Sequence, residues 1–336
     1  MKKVFLAVVA MVGMLTSCGT QTDAVQSEVH GDYTQYVNPL MGTQSSFELS
    51  TGNTYPAIAM PWGMNFWTPR TNRIGDGWQY TYTANKIYGF EQTHQPSPWI
   101  NDYGQFSLMP VTGEVEMDER KRASWFSHKG EVALPHYYKV YLAEYDVVTE
   151  MAPTERASMF RFTFPDADSY VVVDAYDRGS SIKVVPEENK IIGYTTRNSG
   201  GVPENFKNYF VVVFDKPFTY KATFSNDVKP AKPDASVPVT LKEGKLEQTD
   251  FHTGAVIGFK TKKGEKVHAR VASSFISPEQ AELNLKELGN DNFDTIVEKG
   301  KNRWNEVLGK ADVQGGNLDQ YRMFYSYRIR SSLYIL

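Results

Sequence analysis

The chain has 336 residues, a formal net charge of -3 and one cysteine. This length can hold two domains, the small negative charge argues against nucleic-acid binding, and a lone cysteine excludes an internal disulfide. Tyr, Phe and Trp make up 13% of the residues. Because aromatic residues favour strands and also stack on sugar rings, the composition indicates a mainly β protein that handles a ligand.

The N-terminal residues predict export and a lipid anchor. Two lysines precede an apolar run at 4–15, which is too short to span a bilayer as a helix. The Leu-Thr-Ser sequence before Cys18 resembles the lipobox of bacterial lipoproteins, which implies cleavage before Cys18 and lipidation of that residue. We expect a signal peptide at 1–17, a flexible tether at 18–32, and an exported bacterial lipoprotein of the outer membrane, on its periplasmic or cell-surface side. The alternative is an ordinary signal peptide with an incidental cysteine.

Residues 33–276 consist of one short strand pattern after another. Aromatic and β-branched runs such as 160–164 alternate with turn residues, and no helical period of comparable length interrupts them. Residues 182–185 and 191–194 flank a turn and predict a hairpin. Many short strands with turns between them predict an antiparallel β-sandwich for this domain.

The pattern becomes helical at Ser277, an N-cap serine followed by a proline at the first helical position. A second helix is expected at 293–308, so that 277–316 forms a helical linker. A third, aromatic-rich helix at 317–336 runs to the last residue without a capping signal. A helix with apolar residues around most of its circumference is usually buried by neighbouring elements on most sides. It is either a helix docked on the sheet or the first helix of a larger, truncated helical domain.

Seven motifs between residues 36 and 110 are distinctive. They are YVNPLMGT at 36–43, GNTYP at 52–56, MPWGM at 60–64, GDGWQY at 75–80, GFEQTH at 89–94, SPWINDYG at 97–104 and LMP at 108–110. In order and spacing they resemble the N-terminal domain of glycoside hydrolase family 92, the bacterial exo-α-mannosidases. The resemblance implies a supersandwich of the galactose-mutarotase-like type, followed by linker α-helices and the start of an (α/α)6 barrel.

The resemblance also implies an activity, that of a calcium-dependent, inverting α-mannosidase acting on N-glycans or mannans. The 92–99 stretch looks most like that of members directed at α-1,2 linkages. In this family the catalytic acid and base and most calcium ligands belong to the barrel. We therefore expect this chain to hold no calcium alone and to be inactive as a fragment. Its expected partners are mannose-containing glycans and, through the anchor, the membrane; we expect a monomer that binds no nucleic acid.

The residues themselves offer no catalytic pair. An inverting glycosidase needs two carboxyl groups roughly 6.5–9.5 Å apart, and no such pair stands out; no His or Cys spacing predicts a zinc site. Composition alone would place Trp78 and Trp99 in the core, but the resemblance favours them as sugar platforms, because these loops reach the substrate in the family. Trp62 is expected in the core, and Trp67 fits either environment. The expected substrate-binding set is Trp78, Trp99, Asp76, His94, Asp102 and Trp67.

Two other functions remain open. The first is a stand-alone glycan-binding lipoprotein that keeps only the sugar platform, which predicts measurable mannose binding that depends on Trp78 and Trp99. The second is a structural surface protein whose tryptophan loops pack internally, which predicts that both side chains are buried.

Overall fold

The computed structural model describes residues 31–44, 54–71, 79–94, 102–229 and 237–333. Cys18 and the expected lipobox lie outside the described residues. The strands are β1 (Phe66–Arg70), β2 (Lys86–Ile87), β3 (Gly89–Thr93), β4 (Ser107–Thr112), β5 (Ser124–Trp125), β6 (Val132–Leu134), β7 (Tyr137–Leu142), β8 (Val147–Pro153), β9 (Ala157–Phe164), β10 (Ala167–Asp174), β11 (Ser180–Val185), β12 (Lys190–Thr195), β13 (Asn208–Phe214), β14 (Tyr220–Asn226), β15 (Thr240–Glu243), β16 (Glu247–Asp250), β17 (His252–Thr261) and β18 (Glu265–Ser274).

Two large sheets form a sandwich. One has 7 strands in the order β1-β3-β4-β10-β17-β14-β15, and the other has 9 in the order β16-β11-β12-β13-β18-β9-β8-β7-β6. A small third sheet pairs β2 with β5. Each strand pairing in the described residues is antiparallel, which confirms the predicted sandwich. The two inner faces share one core of aromatic and branched side chains, which includes Trp67, Phe106, Phe160, Val172 and Val256.

The predicted hairpin is confirmed by β11 and β12, which pair from Ser180 with Thr195 to Val185 with Lys190. Its turn is a short 3-10 helix, Pro186–Glu188, followed by a residue in the left-handed region, Asn189, with a φ of 50°. Asparagine tolerates that conformation better than a branched residue does, which explains its place at the turn.

Two glycines allow aromatic rings to lie flat against the sheets. Gly254 pairs with Phe224 on the neighbouring strand, and a β-carbon added to Gly254 would lie 2.0 Å from the Phe224 ring. Gly193 pairs with Phe210 in the same way, with a ring atom 2.4 Å from the would-be β-carbon. Glycine in a strand commonly marks such a close approach, and here the ring covers backbone that would otherwise be bare.

Three α-helices follow the last strand: α1 (Pro278–Leu285), α2 (Phe293–Leu308) and α3 (Leu318–Leu333). The predicted start of α1 is confirmed, because Ser277 accepts a hydrogen bond from the Gln280 amide at 3.2 Å. Asn292 caps α2 in the same manner through the Thr295 amide at 2.9 Å. Short 3-10 helices lie at Tyr33–Tyr36 and Lys286–Leu288. In the described part of the chain, no helix has the length and apolar character needed to cross a bilayer.

Helix α2 is fixed firmly to the sandwich. Trp304 is fully buried, and its indole N–H donates to the Ala59 carbonyl at 2.9 Å. At the other end of the helix, the Arg161 guanidinium lies 4.2 Å from the centre of the Phe293 ring. Gly300 faces His136 closely enough that a β-carbon would lie 3.0 Å from it. The helices at 277–316, expected as a linker, are therefore packed onto the β-domain.

Helix α3 docks on the N-terminal segment of the body. Tyr36 stacks on Tyr321 and Tyr325, with ring centres 5.4 and 5.7 Å apart, and the Asn38 amide donates to Ser326 at 2.9 Å. The opposite face of α3 is open, since Met323 is 49% and Tyr327 60% exposed. The helix is therefore buried along one side, whereas its sequence predicted neighbours on most sides.

Candidate functional site

Half of the expected sugar contacts lie in two stretches, which we name the first tryptophan segment (72–78, with Asp76 and Trp78) and the second tryptophan segment (95–101, with Trp99). Both stretches lie outside the described residues. The residues on either side of each are described, and we name each flanking pair a stem. The stems are the described residues nearest in the chain to the two segments.

The stem of the first tryptophan segment is closed by hydrogen bonds. The Thr71 amide donates to the Gln79 carbonyl at 2.8 Å, and the Thr81 amide donates to the Thr71 hydroxyl, also at 2.8 Å. The residue between them, Tyr80, is buried, and its hydroxyl lies 3.2 Å from the Glu131 carboxylate. The chain therefore leaves and rejoins the sandwich at one fixed point.

The stem of the second tryptophan segment is closed by a carboxylate. Asp102 accepts the His94 amide at 2.8 Å with one oxygen and the Tyr103 amide at 2.7 Å with the other. The Asp102 side chain is fully buried. These two bonds give Asp102 a stem-closing role, and its expected sugar contact stays a prediction.

His94 lies beside this stem in an aromatic surround. Its Nδ1 lies 2.8 Å from the Tyr103 carbonyl, so Nδ1 carries the proton, and its ring lies parallel to Tyr103 and against Phe275. Burial lowers the pKa of His94 to about 4, which keeps the ring neutral at pH 7. Its Nε2 is buried and accepts no hydrogen bond from the described residues. Among the described residues, His94 Nε2 is thus a buried acceptor without a donor beside the second stem.

Trp67 requires a correction. It was expected as a substrate contact or a core residue, and the structure buries it completely. Its indole N–H donates to Asn65 at 2.8 Å, and its ring meets Phe106 and Phe160 edge-on at 5.6 and 4.8 Å. No face of Trp67 is open to a sugar ring. All five residues of β1 are buried, so alternation along the strand could not have revealed this.

Trp62 is the opposite case, since it was expected in the core and is 38% exposed. Its φ of 57° places it in the left-handed region, which is uncommon for a bulky residue. The Arg303 and Lys310 cations lie 5.6 and 5.8 Å from its ring centre. The left-handed turn points this tryptophan out towards the helices, where it packs beneath two cations.

A buried polar network escaped the sequence analysis. The Arg70 guanidinium lies 3.1 Å from Glu91 and 2.7 Å from Glu119, and the Gln105 amide donates to Glu91 at 2.7 Å. Burial raises the pKa of Glu91 to about 7, although Arg70 and Arg197 favour its ionised form. One feature of the sequence pointed to this network: Glu91 is a charged residue in the middle of β3, a strand whose two faces are both buried.

The described residues offer no metal site. Within those ranges, no three His, Cys, Asp or Glu side chains converge in a way that could hold an ion. Calcium needs six to eight converging oxygens, and the buried carboxylates here are occupied by protein donors. Asp174 pairs with Arg122 at 2.6 Å, and Glu131 accepts the Tyr138 hydroxyl at 2.5 Å. The described residues therefore do not fit the calcium ion that the family resemblance implies.

Two buried neutral histidines predict that the chain loses stability in mild acid. Burial lowers the pKa of His136 to about 4, as it does for His94, from an ordinary value of 6.5. Below pH 6.5 these two histidines become protonated in the unfolded chain, whereas in the folded chain they stay neutral until about pH 4. The free energy of unfolding is therefore expected to fall through this window by up to about 1.4 kcal/mol per pH unit for each histidine.

Urea unfolding at pH 7, 5.5 and 4.5 measures this effect. His136→Leu is expected to reduce the pH slope, because the uncharged side chain removes one of the two proton-linked sites. His268→Gln is the matched control, since His268 is 28% exposed and bonded to Asp215 at 2.6 Å. A slope that is the same in wild type and His136→Leu would contradict the assignment.

Comparison with known proteins identifies the two parts of the chain. Residues 36–274 match the glycosyl hydrolase family 92 N-terminal domain. Residues 280–334 match the glycosyl hydrolase family 92 catalytic domain, so the helices after Ser277 belong to the part that the family assigns to catalysis.

Solved structures and a curated relative agree with this assignment. An inverting family 92 mannosidase from Bacteroides thetaiotaomicron is 44% identical with a TM-score of 0.85, covering 92% of this chain and 40% of that one. A family 92 α-mannosidase from the same organism is 30% identical with a TM-score of 0.78, covering 90% of this chain and 42% of that one. An uncharacterised secreted glycosidase from Arthroderma benhamiae is 22% identical, covering 95% of this chain and 44% of the relative.

This chain therefore spans about two-fifths of the length of these relatives. Its strand order, its switch to helices after residue 274 and its match to the N-terminal family model over residues 36–274 all agree. The chain belongs to glycosyl hydrolase family 92.

Proposed function

We propose that this chain supplies the sugar-contacting half of an α-mannosidase active site. Trp78 and Trp99 act as platforms for the pyranose ring, and Asp76 and the free Nε2 of His94 bind its hydroxyls. The observation that carries the proposal is that both tryptophan segments begin and end on closed stems of a family 92 sandwich. Each stem fixes the point at which the chain leaves and rejoins the sandwich, and a sugar platform requires such support from a rigid scaffold.

The reaction is the hydrolysis of an α-mannosidic bond with inversion, in line with the inverting mannosidase to which the chain is similar. We propose that the general acid, the general base and the calcium ligands lie outside the described residues, among which no three His, Cys, Asp or Glu side chains are placed to hold an ion. We propose mannose-containing N-glycans or mannans as substrates and α-1,2 as the linkage. The linkage rests on the form of residues 92–99.

Calorimetry with mannose and α-1,2-mannobiose tests the platform. Half a site binds weakly, so we expect millimolar dissociation constants, equivalent to about -4 kcal/mol. Trp78→Ala and Trp99→Ala are each expected to weaken binding about 5- to 30-fold, because each removes a stacked ring. Trp125→Ala is the matched control, since Trp125 is a 48% exposed tryptophan on β5 that lies outside the two tryptophan segments.

The outcomes separate the alternatives. Binding that neither Trp78→Ala nor Trp99→Ala changes would contradict the platform. Micromolar, linkage-selective binding by the chain alone would favour a stand-alone glycan-binding lipoprotein. No binding at all, with both tryptophans protected from quenchers, would favour a structural surface protein.

We also propose that the chain is exported and held at the outer membrane by a lipid on Cys18, as a monomer. The support is the short apolar run and the Leu-Thr-Ser-Cys sequence, together with the relative that is named as secreted. Wild-type protein is expected to enter the detergent phase on Triton X-114 partition, and Cys18→Ala to stay in the aqueous phase. Equal partition of the two proteins would argue against the anchor.

A further inference from the structure

The crossover between the two large sheets has a strained backbone. Residues 175–179 lead from β10 in the seven-stranded sheet to β11 in the nine-stranded sheet. Tyr176, Arg178 and Gly179 have φ angles of 62°, 76° and 107°, all in the left-handed region. Residues other than glycine adopt this region at a cost, and they persist in it where the surrounding structure holds them.

Hydrogen bonds from both sheets hold the crossover in this form. The Thr196 hydroxyl, just after β12, lies 2.7 Å from the Arg178 carbonyl and 2.9 Å from the Gly179 carbonyl. The Tyr176 amide donates to the Asp174 carboxylate, at the end of β10, at 3.0 Å. The left-handed residues are therefore fixed from two sides.

Packing explains two of the three left-handed residues. Gly179 has no room for a side chain, because an added β-carbon would lie 2.6 Å from the Thr196 hydroxyl. Tyr176 is fully buried, and its hydroxyl lies 3.5 Å from Glu91. Arg178, in contrast, is exposed and occupies no core position. Because strained residues cluster at functional sites, Arg178 is a candidate contact for a ligand.

Arg178 lies against an open loop, residues 198–201, which we name the glycine loop. The Arg178 guanidinium donates to the Asn198 carbonyl, and the Asn198 side chain accepts the Gly200 amide at 2.8 Å. Gly200 and Gly201 are exposed and left-handed, and a β-carbon added to either would meet no atom within 4 Å. A ligand can therefore approach the backbone of this loop closely.

The glycine loop adjoins the chain that follows the second stem. The Gly104 amide donates to the Arg197 carbonyl at 2.7 Å, and the Arg197 guanidinium donates to the Gln105 side chain at 3.3 Å. Arg197 directly precedes the glycine loop. The loop and Arg178 therefore lie at the same end of the sandwich as this stem.

The groups around Arg178 suit hydroxyl groups better than an anion. An arginine has five N–H donors in a fixed fork, and in the described residues one of those of Arg178 goes to the Asn198 carbonyl. The neighbouring Asp177 carboxylate is 26% exposed, so it supplies an acceptor and repels a negative ligand. A sugar hydroxyl both donates and accepts, which matches this mixture of groups.

We propose that Arg178 and the glycine loop bind the hydroxyl groups of a mannose chain, at a site outside both tryptophan segments. The class of ligand rests on the proposed function, whereas the site itself consists of described residues. Arg178 donates to two neighbouring hydroxyl oxygens of one pyranose, and the glycines let that sugar approach the loop. Because the site adds to the platform, a chain of several mannose units binds more tightly than mannose.

Calorimetry of the full chain with mannose and with α-1,2-linked mannotetraose tests the site. The measured quantity is the ratio of the tetraose and mannose association constants. Arg178→Gly and Arg178→Ala are each expected to lower this ratio about 5- to 10-fold, because both remove hydrogen bonds from a charged donor.

The two variants separate ligand binding from loop shape. Arg178→Gly is expected to unfold about 1–4 °C above Arg178→Ala, because glycine adopts the left-handed region freely and alanine does not. If Arg178 only shaped the loop, the ratio would fall in Arg178→Ala and recover in Arg178→Gly. A contact with the sugar predicts the same fall in both.

Asn189→Gly and Asn189→Ala are the matched controls. Asn189 is also left-handed, with a φ of 50°, and it follows the end of β11 that is distant from the crossover. The same order of unfolding temperatures is expected for this pair, with the wild-type ratio of association constants in both.

The Arg178 site is overturned if the ratio keeps its wild-type value in both Arg178 variants, if it recovers in Arg178→Gly, or if the Asn189 variants lower it equally. Trp78→Ala and Trp99→Ala are measured in parallel. Mannose binding that depends on these tryptophans, with a ratio independent of Arg178, would overturn the site and keep the platform. A ratio that depends on Arg178, with mannose binding independent of both tryptophans, would overturn the platform and keep the site.

Discussion

The purified chain is expected to release no mannose from an aryl α-mannoside, with or without added calcium. An inverting glycosidase needs an acid and a base that face one cleft, roughly 6.5–9.5 Å apart. In the described part of the chain the buried carboxylates are already bound, as Asp174 is by Arg122 at 2.6 Å and Glu150 by Arg161 at 2.7 Å. Release of the aryl group measures turnover. Rates in the ordinary enzyme range, about 1–1000 per second, would show that the chain carries its own acid and base.

A chimera that contains this chain tests whether the chain supports mannoside hydrolysis when the rest of the enzyme is present. This chain replaces the matching N-terminal part of the inverting Bacteroides mannosidase, to which it is 44% identical with a TM-score of 0.85. The chimera is expected to hydrolyse the α-mannoside. Its Trp99→Ala variant is expected to lose about 10- to 100-fold in kcat/KM, equivalent to about 1.4–2.8 kcal/mol of transition-state binding.

The controls for the chimera are the parent enzyme and a Trp125→Ala chimera, whose substitution removes an exposed tryptophan that is not part of the proposed platform. A chimera that is folded but inactive, under conditions in which the parent enzyme turns over, would contradict the role proposed for this chain. Full activity in the Trp99→Ala chimera would leave the family assignment intact and remove the platform.

Trp304→Ala is expected to lower the free energy of unfolding by about 3–5 kcal/mol, the usual range for deleting a buried tryptophan. Trp304 is fully buried between α2 and the sandwich and donates to the Ala59 carbonyl at 2.9 Å. It packs with Leu308 of α2 and with Tyr325 and Ile329 of α3 in one cluster. Its loss leaves a cavity at the junction of the helices with the β-domain.

Urea unfolding followed by circular dichroism measures this change. Trp304→Phe, which keeps an aromatic ring but loses the N–H donor, is expected to lose less than Trp304→Ala. Trp125→Ala, at an exposed tryptophan, is expected to stay within about 0.5 kcal/mol of wild type. A change below about 1 kcal/mol in Trp304→Ala would show that the helices contribute little to the stability of the sandwich.

Features set by neighbouring residues were predictable from the sequence. The start of α1 depends on Ser277 and Pro278, and the β11–β12 hairpin depends on the turn between its strands; both are confirmed. Short strands with turns between them were enough to predict an antiparallel sandwich. The family assignment was also within reach, because its motifs are long and contiguous.

Features set by distant residues were not predictable. Glu91 meets Arg70 and Gln105 only because β1 and β3 pair in one register and the chain returns beside them. The exchange of roles between Trp62 and Trp67 has a similar cause. A left-handed turn directs Trp62 outward, and the pairing of two sheets encloses Trp67. The sequence around Trp62 and Trp67 predicts neither the left-handed backbone conformation of the turn nor the order of the strands in the sheets.

The closed stems also bear on how such a protein changes over evolutionary time. Because Thr71 and Gln79 are bonded to each other, and Asp102 ties the other stem, the stretches between them can vary in length and sequence without shifting any strand. Surface insertions between fixed ends change the free energy of folding only slightly. Substitutions between the stems are therefore expected to change glycan binding more than the free energy of folding of the sandwich.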